Sequence, residues 1–85
     1  MGYRHGVTMA DLVHEFTNPV AKFRVRAFAE KRGNVWIGWL EFRPTGGGKV
    51  LKTGEETSQP SKDAVVYWAS GLEPVYLEGA LDRAK

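Results

Sequence analysis

At 85 residues the chain is long enough for one small domain, which we place over residues 1–85, and too short for a substrate cleft between two lobes, so we do not expect an enzyme. It has no cysteine, which excludes disulfide frameworks and thiolate metal sites. The net charge of +2 is unevenly spread, because eight basic residues stand against two acidic ones between Val20 and Lys52, whereas acidic residues outnumber basic ones from Thr53 onward.

The first predicted element is a short helix from Thr8 to Phe16. Its apolar residues recur at the i, i+3, i+4 and i+7 positions of one helical face. They are Met9, Leu12, Val13 and Phe16. Asn18 and Pro19 then end the helix. We therefore expect an N-terminal helix ahead of the first strand.

A β-hairpin is predicted next. Apolar residues occur at every second position after Val20, turn residues follow at 32–34, and the run VWIGWLEF begins at Val35. Pairing odd positions of the first strand with even positions of the second gives one face without charge. That face carries Phe23, Val25, Ala27, Ala29, Trp36, Gly38, Leu40 and Phe42. A slip by one residue would bury Arg24 and Arg26, at a cost of roughly several kcal/mol each.

The second half of the chain predicts a third strand and then helix. The strand runs from Lys49 to Thr53 and lies at the edge of the sheet, after a glycine-rich connection. Residues 57–59 before Pro60 are typical of the start of a helix. An apolar stripe at helical spacing continues to a break at Gly71 and Pro74.

These elements predict an α+β fold. A three-stranded antiparallel sheet carries a short N-terminal helix and one kinked or two C-terminal helices packed on one face. On the uncharged face of the hairpin, Ala27, Ala29 and Gly38 leave a trough. We expect the indole of Trp68 to fill it, because dense packing alternates large and small groups across facing layers.

The opposite face of the hairpin has an apolar centre and a basic rim. Phe28, Ile37 and Trp39 form the centre, with Arg24 and Arg26 beside them. Such a face can be covered by the chain's own N-terminal helix, by a second protein chain or by nucleic acid. Because an apolar patch with an arginine rim is typical of interfaces, we predict a non-catalytic protein-interaction or self-associating module. It needs no cofactor or metal, and its partner is itself, as a homodimer or higher oligomer, or another protein.

The alternative is a weak nucleic-acid-binding module. Aromatic rings between basic side chains on an open sheet offer stacking and phosphate contacts. The phosphate contacts would come from Lys22, Arg24, Arg26 and Arg43. A net charge of only +2 argues against this alternative. No stretch is long enough to span a membrane, and the lack of cysteine and of an apolar leader predicts a reducing cytoplasm.

Three family resemblances accompany this order of elements. Helix, three strands and a last helix with SKDAVVYWASGL resemble a double-stranded RNA binding domain, which implies basic residues at the start of that helix, where this chain has only Lys62. A second resemblance is to the partial RNase H arrangement of HicB-type antitoxins, and it rests on the hairpin, the third strand and the run TGEETSQPSKDAVVYWASGL. The run TGEETSQPSKDAVVYWASGLEPVYLEGAL resembles small uncharacterised bacterial proteins. None of these resemblances assigns a site residue.

Overall fold

A computed structural model describes residues 10–85 as an antiparallel sheet with two helices after it. The elements are β1 (Asp11–Glu15), β2 (Phe23–Arg32), β3 (Val35–Pro44), β4 (Leu51–Lys52), β5 (Thr57–Gln59), α1 (Lys62–Ser70) and α2 (Pro74–Arg83). The α+β class and the break between two C-terminal helices are confirmed. The described part of the chain has five strands rather than three.

The β2–β3 hairpin has the predicted register. Val25 lies opposite Phe42, and Ala27 lies opposite Leu40. The turn leaves two residues between the strands, and Gly33 has a φ of +60°, a conformation that glycine adopts without strain. Uncharged side chains therefore share one face of the hairpin, as the polarity of the sequence requires.

The predicted N-terminal helix is wrong over the described residues, where the chain forms β1 instead. β1 pairs antiparallel with β2, and its register shifts between Leu12 and His14. The extra residue of this bulge, Val13, packs against the core together with Phe16. Because a bulge breaks the alternation of a strand, the apolar spacing resembled that of a helix. Residues Thr8 and Met9 of the predicted helix lie outside the described residues.

β4 and β5 share the second edge of β3. β4 pairs with Glu41 and Phe42, and β5 pairs with 36–38. Between them, Thr53 accepts a hydrogen bond from the Leu40 amide on its Oγ1 (3.0 Å) and donates its own amide to the Leu40 carbonyl (2.9 Å). The predicted edge strand is thus present, but Thr57–Gln59 is a strand and not the first turn of a helix.

Both helices cover the uncharged face of the sheet. Their buried residues are Val65 and Ala69 in α1, and Leu77 and Ala80 in α2. α1 begins at the N-cap Ser61, whose Oγ accepts a hydrogen bond from the Ala64 amide (3.1 Å). The core is built from these side chains and from the inward residues of the hairpin, chiefly Val25, Ala27, Leu40 and Phe42.

Two predicted tryptophan positions need correction. Val65, not Trp68, packs over the trough at Gly38. The Trp68 ring is only partly buried and meets the ring of Tyr76 edge-on, with centroids 6.3 Å apart. Trp36 lies on the helix side by register but is partly exposed and does not join the core of the described residues. A short β-branched side chain allows α1 to approach the sheet more closely than an indole would.

Candidate interaction face of the sheet

The face of the sheet turned away from the helices is the candidate site, and we call it the open face. By register it carries Leu12, Glu15, Arg24, Arg26, Phe28, Glu30, Arg32, Val35, Ile37, Trp39, Glu41, Arg43, Lys52 and Ser58. No helix or strand within residues 10–85 packs over it. The predicted face is therefore present, and none of the described elements covers it.

An apolar row crosses the centre of the open face on three neighbouring strands. Leu12 of β1 lies opposite Phe28 of β2, which lies opposite Trp39 of β3. The rings of Phe28 and Trp39 stack with centroids 6.1 Å apart and planes 19° from parallel. Leu12 is 44% exposed, and both rings are partly exposed. Apolar surface is thus presented to solvent as one continuous strip.

Ile37 departs from its predicted role. Its side chain belongs to the open face by register, yet it is only 5% exposed. Ile37 lies between Glu30 on β2 and Ser58 on β5. A side chain that is already buried offers little area to a partner, so Ile37 contributes little to the surface that a partner could contact.

A charged network borders the apolar row. Glu41 is 8% exposed, and its Oε1 lies 3.8 Å from Nη1 of Arg26 and 3.5 Å from Nη2 of Arg43. Nε of Arg26 lies 3.5 Å from Oε2 of Glu15. The guanidinium carbon of Arg26 also lies 5.5 Å from the centroid of the Phe28 ring, within range of a cation–π contact. Glu41 and Arg26 are direct partners across the hairpin, so this ion pair joins β2 to β3.

Arg24 is the exception in this network. It lies directly opposite Arg43, and its Nη1 donates a hydrogen bond to the backbone carbonyl of Thr17 (3.0 Å). An open pocket of about 300 Å³ lies beside these side chains. It is lined by Glu15, Phe16, Arg24, Val25, Arg26 and Arg43. We call Arg24, Arg26 and Arg43 the arginine cluster.

The predicted site residues therefore divide into two sets. The Phe28 ring lies against both the Trp39 ring and the Arg26 guanidinium group, and the rest of the arginine cluster lies beside Arg26. Lys22 lies apart, in the turn before β2, where its φ is +69°. Leu12, Glu15 and Lys52 could not be assigned to this face from the sequence, because each reaches it through pairing of β1 or β4 with a neighbouring strand of the sheet.

A second polar cluster joins α2 to the segment before β5. Glu56, whose side chain is 8% exposed, accepts hydrogen bonds from the Tyr76 hydroxyl and from Nη2 (2.6 Å) and Nε (3.3 Å) of Arg83. Burial and the adjacent Glu56 carboxylate raise the pKa of Tyr76 to about 12. Because Glu56 binds two side chains of α2, the cluster fastens that helix to the segment before β5.

Neither a metal-binding cluster nor a membrane-spanning helix is found in the part of the chain that the structure describes. Residues 10–85 contain no group of three acidic, histidine or cysteine side chains that could hold a metal ion. None of their helices has the length and apolarity to cross a bilayer. Comparison with protein-family models gave no match, and neither did searches of curated proteins and of solved structures. The three resemblances drawn from the sequence therefore stay predictions.

Proposed function

We propose that the protein is a non-catalytic protein-binding module whose open face packs against a second copy of the chain. The observation that carries this proposal is the apolar row on a sheet face that no described element covers. Exposed apolar surface costs free energy in water, and covering it with another such surface recovers that free energy. The absence of cysteine agrees with a cytoplasmic setting, which belongs to the same proposal.

The size of the face is sufficient for a modest dimer. β2 and β3 have ten residues each and are flanked by shorter strands. Strand dimensions give on the order of 500 Å² for such a face. Two copies would bury about 1,000 Å² in total, at the lower limit for a specific interface. We therefore expect an association that depends on concentration rather than an obligate dimer.

The charges at the border of the row favour a protein partner over a polyanion. Arg26 and Arg43 already lie within ion-pair distance of the buried Glu41, and Glu15 lies beside Arg26. An extended phosphate backbone is bound through many unpaired basic side chains, and of the arginine cluster only Arg24 forms no ion pair within the described residues. A largely neutralised border of arginine and glutamate is what a polar interface rim requires.

Light scattering over a range of protein concentrations tests this proposal. We expect the mass of the wild type to rise toward that of a dimer, and the mass of Trp39→Glu to stay that of a monomer. Tyr67→Glu is the matched control, because Tyr67 is an aromatic residue that is 83% exposed and belongs to α1, which packs on the other face of the sheet. A wild type that stays monomeric throughout, or a Trp39→Glu variant that associates as the wild type does, would refute the proposal.

Nucleic-acid binding is the second candidate. The stacked rings of Phe28 and Trp39 favour it, since such rings can receive unpaired bases beside the exposed cations Arg24, Arg43 and Lys52. It predicts that single-stranded RNA binds with an affinity that falls steeply as salt is added. No binding at low salt would eliminate this candidate.

A further inference from the structure

We propose that the pocket beside the arginine cluster binds a compact oxyanion, with phosphate as its chemical class. Guanidinium groups present planar pairs of N–H donors that match the oxygens of phosphate and carboxylate. The pocket of about 300 Å³ brings three such groups to one place at the end of the open face. Its only lining carboxylate among the described residues is that of Glu15.

The first argument is the unbalanced charge across the hairpin. Arg24 and Arg43 are cross-strand partners, and like charges placed directly opposite each other destabilise a sheet. Glu41 compensates Arg43 and Arg26, but no carboxylate of residues 10–85 forms an ion pair with Arg24. An anion in the pocket would reduce this repulsion, and both guanidinium groups would attract it.

The second argument is the state of Arg26. Its Nε atom is buried and makes no hydrogen bond within the described residues, although Oε2 of Glu15 lies 3.5 Å away. The Glu15 side chain is 66% exposed and can turn into solvent. The Glu15 carboxylate therefore marks where an anionic group lies in the pocket, and a bound oxyanion would take its place.

This inference does not depend on self-association. The pocket is formed by the arginine cluster at one end of the open face, whereas the apolar row of the proposed dimer contact lies at the centre of that face. The titration is therefore made in parallel on the wild type and on the Trp39→Glu variant. If both proteins bind phosphate, the phosphate site is supported even when the wild type does not dimerise. If the wild type dimerises and neither protein binds phosphate, the phosphate site is refuted and the dimer proposal is not.

The test is a nuclear magnetic resonance titration with inorganic phosphate, with ionic strength held constant by chloride. We expect saturable shifts at the backbone amides of the pocket and at the Nε–H group of Arg26. Arg24→Gln and Arg43→Gln should weaken binding roughly tenfold each, the usual order for a lost charge-assisted hydrogen bond. Glu15→Gln should tighten binding by about two- to fivefold, because it removes the competing carboxylate.

Arg32→Gln provides the matched control. It removes one positive charge from the far end of β2, where the side chain is 62% exposed and pairs with Glu30. We expect it to leave phosphate binding unchanged. If Arg32→Gln weakens phosphate binding as much as Arg24→Gln does, or if the resonance shifts do not saturate, the protein attracts phosphate only through its overall charge. Either result would refute the site. RNA binding through the same arginines without any response to phosphate would also refute it.

Discussion

Val65 of α1 packs directly onto the backbone of Gly38 in β3. A Cβ atom on Gly38 would lie 2.8 Å from Cγ1 of Val65 and 3.0 Å from Cγ2 of Thr57. Gly38 pairs with Ala29 across the hairpin, so two of the smallest residues lie side by side beneath the helix. Because Gly38 has no side chain, α1 can pack closely against the sheet at this point.

We expect Gly38→Ala to destabilise the fold by about 1–3 kcal/mol, because added atoms overpack a closely filled contact. Urea unfolding measures this cost. Gly46→Ala is the control, since a Cβ there meets nothing within 4 Å, and it should change stability by less than about 0.5 kcal/mol. Val65→Ala introduced together with Gly38→Ala should restore part of the loss. A Gly38→Ala variant as stable as the wild type would contradict the close packing.

The register of the hairpin could be predicted because polarity alone decides it. Only one phase keeps Arg24 and Arg26 out of the core, and the structure has that phase. The same reasoning placed Phe28 and Trp39 on the open face. It failed for the helix contact at Gly38, because alternating large and small residues do not say which side chain of a helix lies over a gap.

Elements that depend on distant pairing could not be predicted. The apolar residues of β1 have a helix-like spacing only because of the bulge at Val13. The segment forms a strand because it pairs with the edge of β2. β5 consists of three polar residues, which by themselves favour a helix cap. Its strand geometry comes from β3, whose second edge would otherwise leave backbone groups unpaired.

The turn that leads into β2 should be improvable. Val20 and Phe23 exchange two backbone hydrogen bonds (2.9 and 2.8 Å), and the residues between them, Ala21 and Lys22, have φ values of +48° and +69°. Such two-residue turns favour Asn followed by Gly, whereas other residues are strained there by about 1 kcal/mol. We expect Ala21→Asn with Lys22→Gly to raise the melting temperature by roughly 4–8 °C per kcal/mol gained.

Lys31→Gly is the control for the turn, because it makes the same substitution inside β2. Glycine in a strand interior costs roughly 0.5–1 kcal/mol, so this variant should melt at a lower temperature than the wild type. Thermal unfolding followed by circular dichroism compares the two. Destabilisation by the Asn–Gly turn as well would show that Ala21 and Lys22 are not strained.

Glu41 should be needed for stability as well as for the open face. Glu41→Gln removes the buried carboxylate that Arg26 and Arg43 share, and it leaves three arginines close together. We expect a loss of about 1–3 kcal/mol in the free energy of unfolding. Added salt should reduce this loss by screening the repulsion. Glu55→Gln, at an exposed position, should have no measurable effect, and equal losses for the two variants would argue against the network.

Tyr76 should make the fold sensitive to alkali. Its pKa is raised from 10.0 to about 12 in the folded protein, chiefly by burial and then by the Glu56 carboxylate. The neutral hydroxyl is therefore favoured by folding, so its contribution to stability is full below pH 10 and is lost as the pH rises through about 12. Tyr76→Phe should cost about 1 kcal/mol at neutral pH through the lost hydrogen bond. That cost should shrink above pH 10, as the Tyr76 hydroxyl of the unfolded chain ionises. Urea unfolding at a series of pH values measures the difference between Tyr76→Phe and the wild type, and a difference that stays constant to pH 12 would disprove the raised pKa of Tyr76.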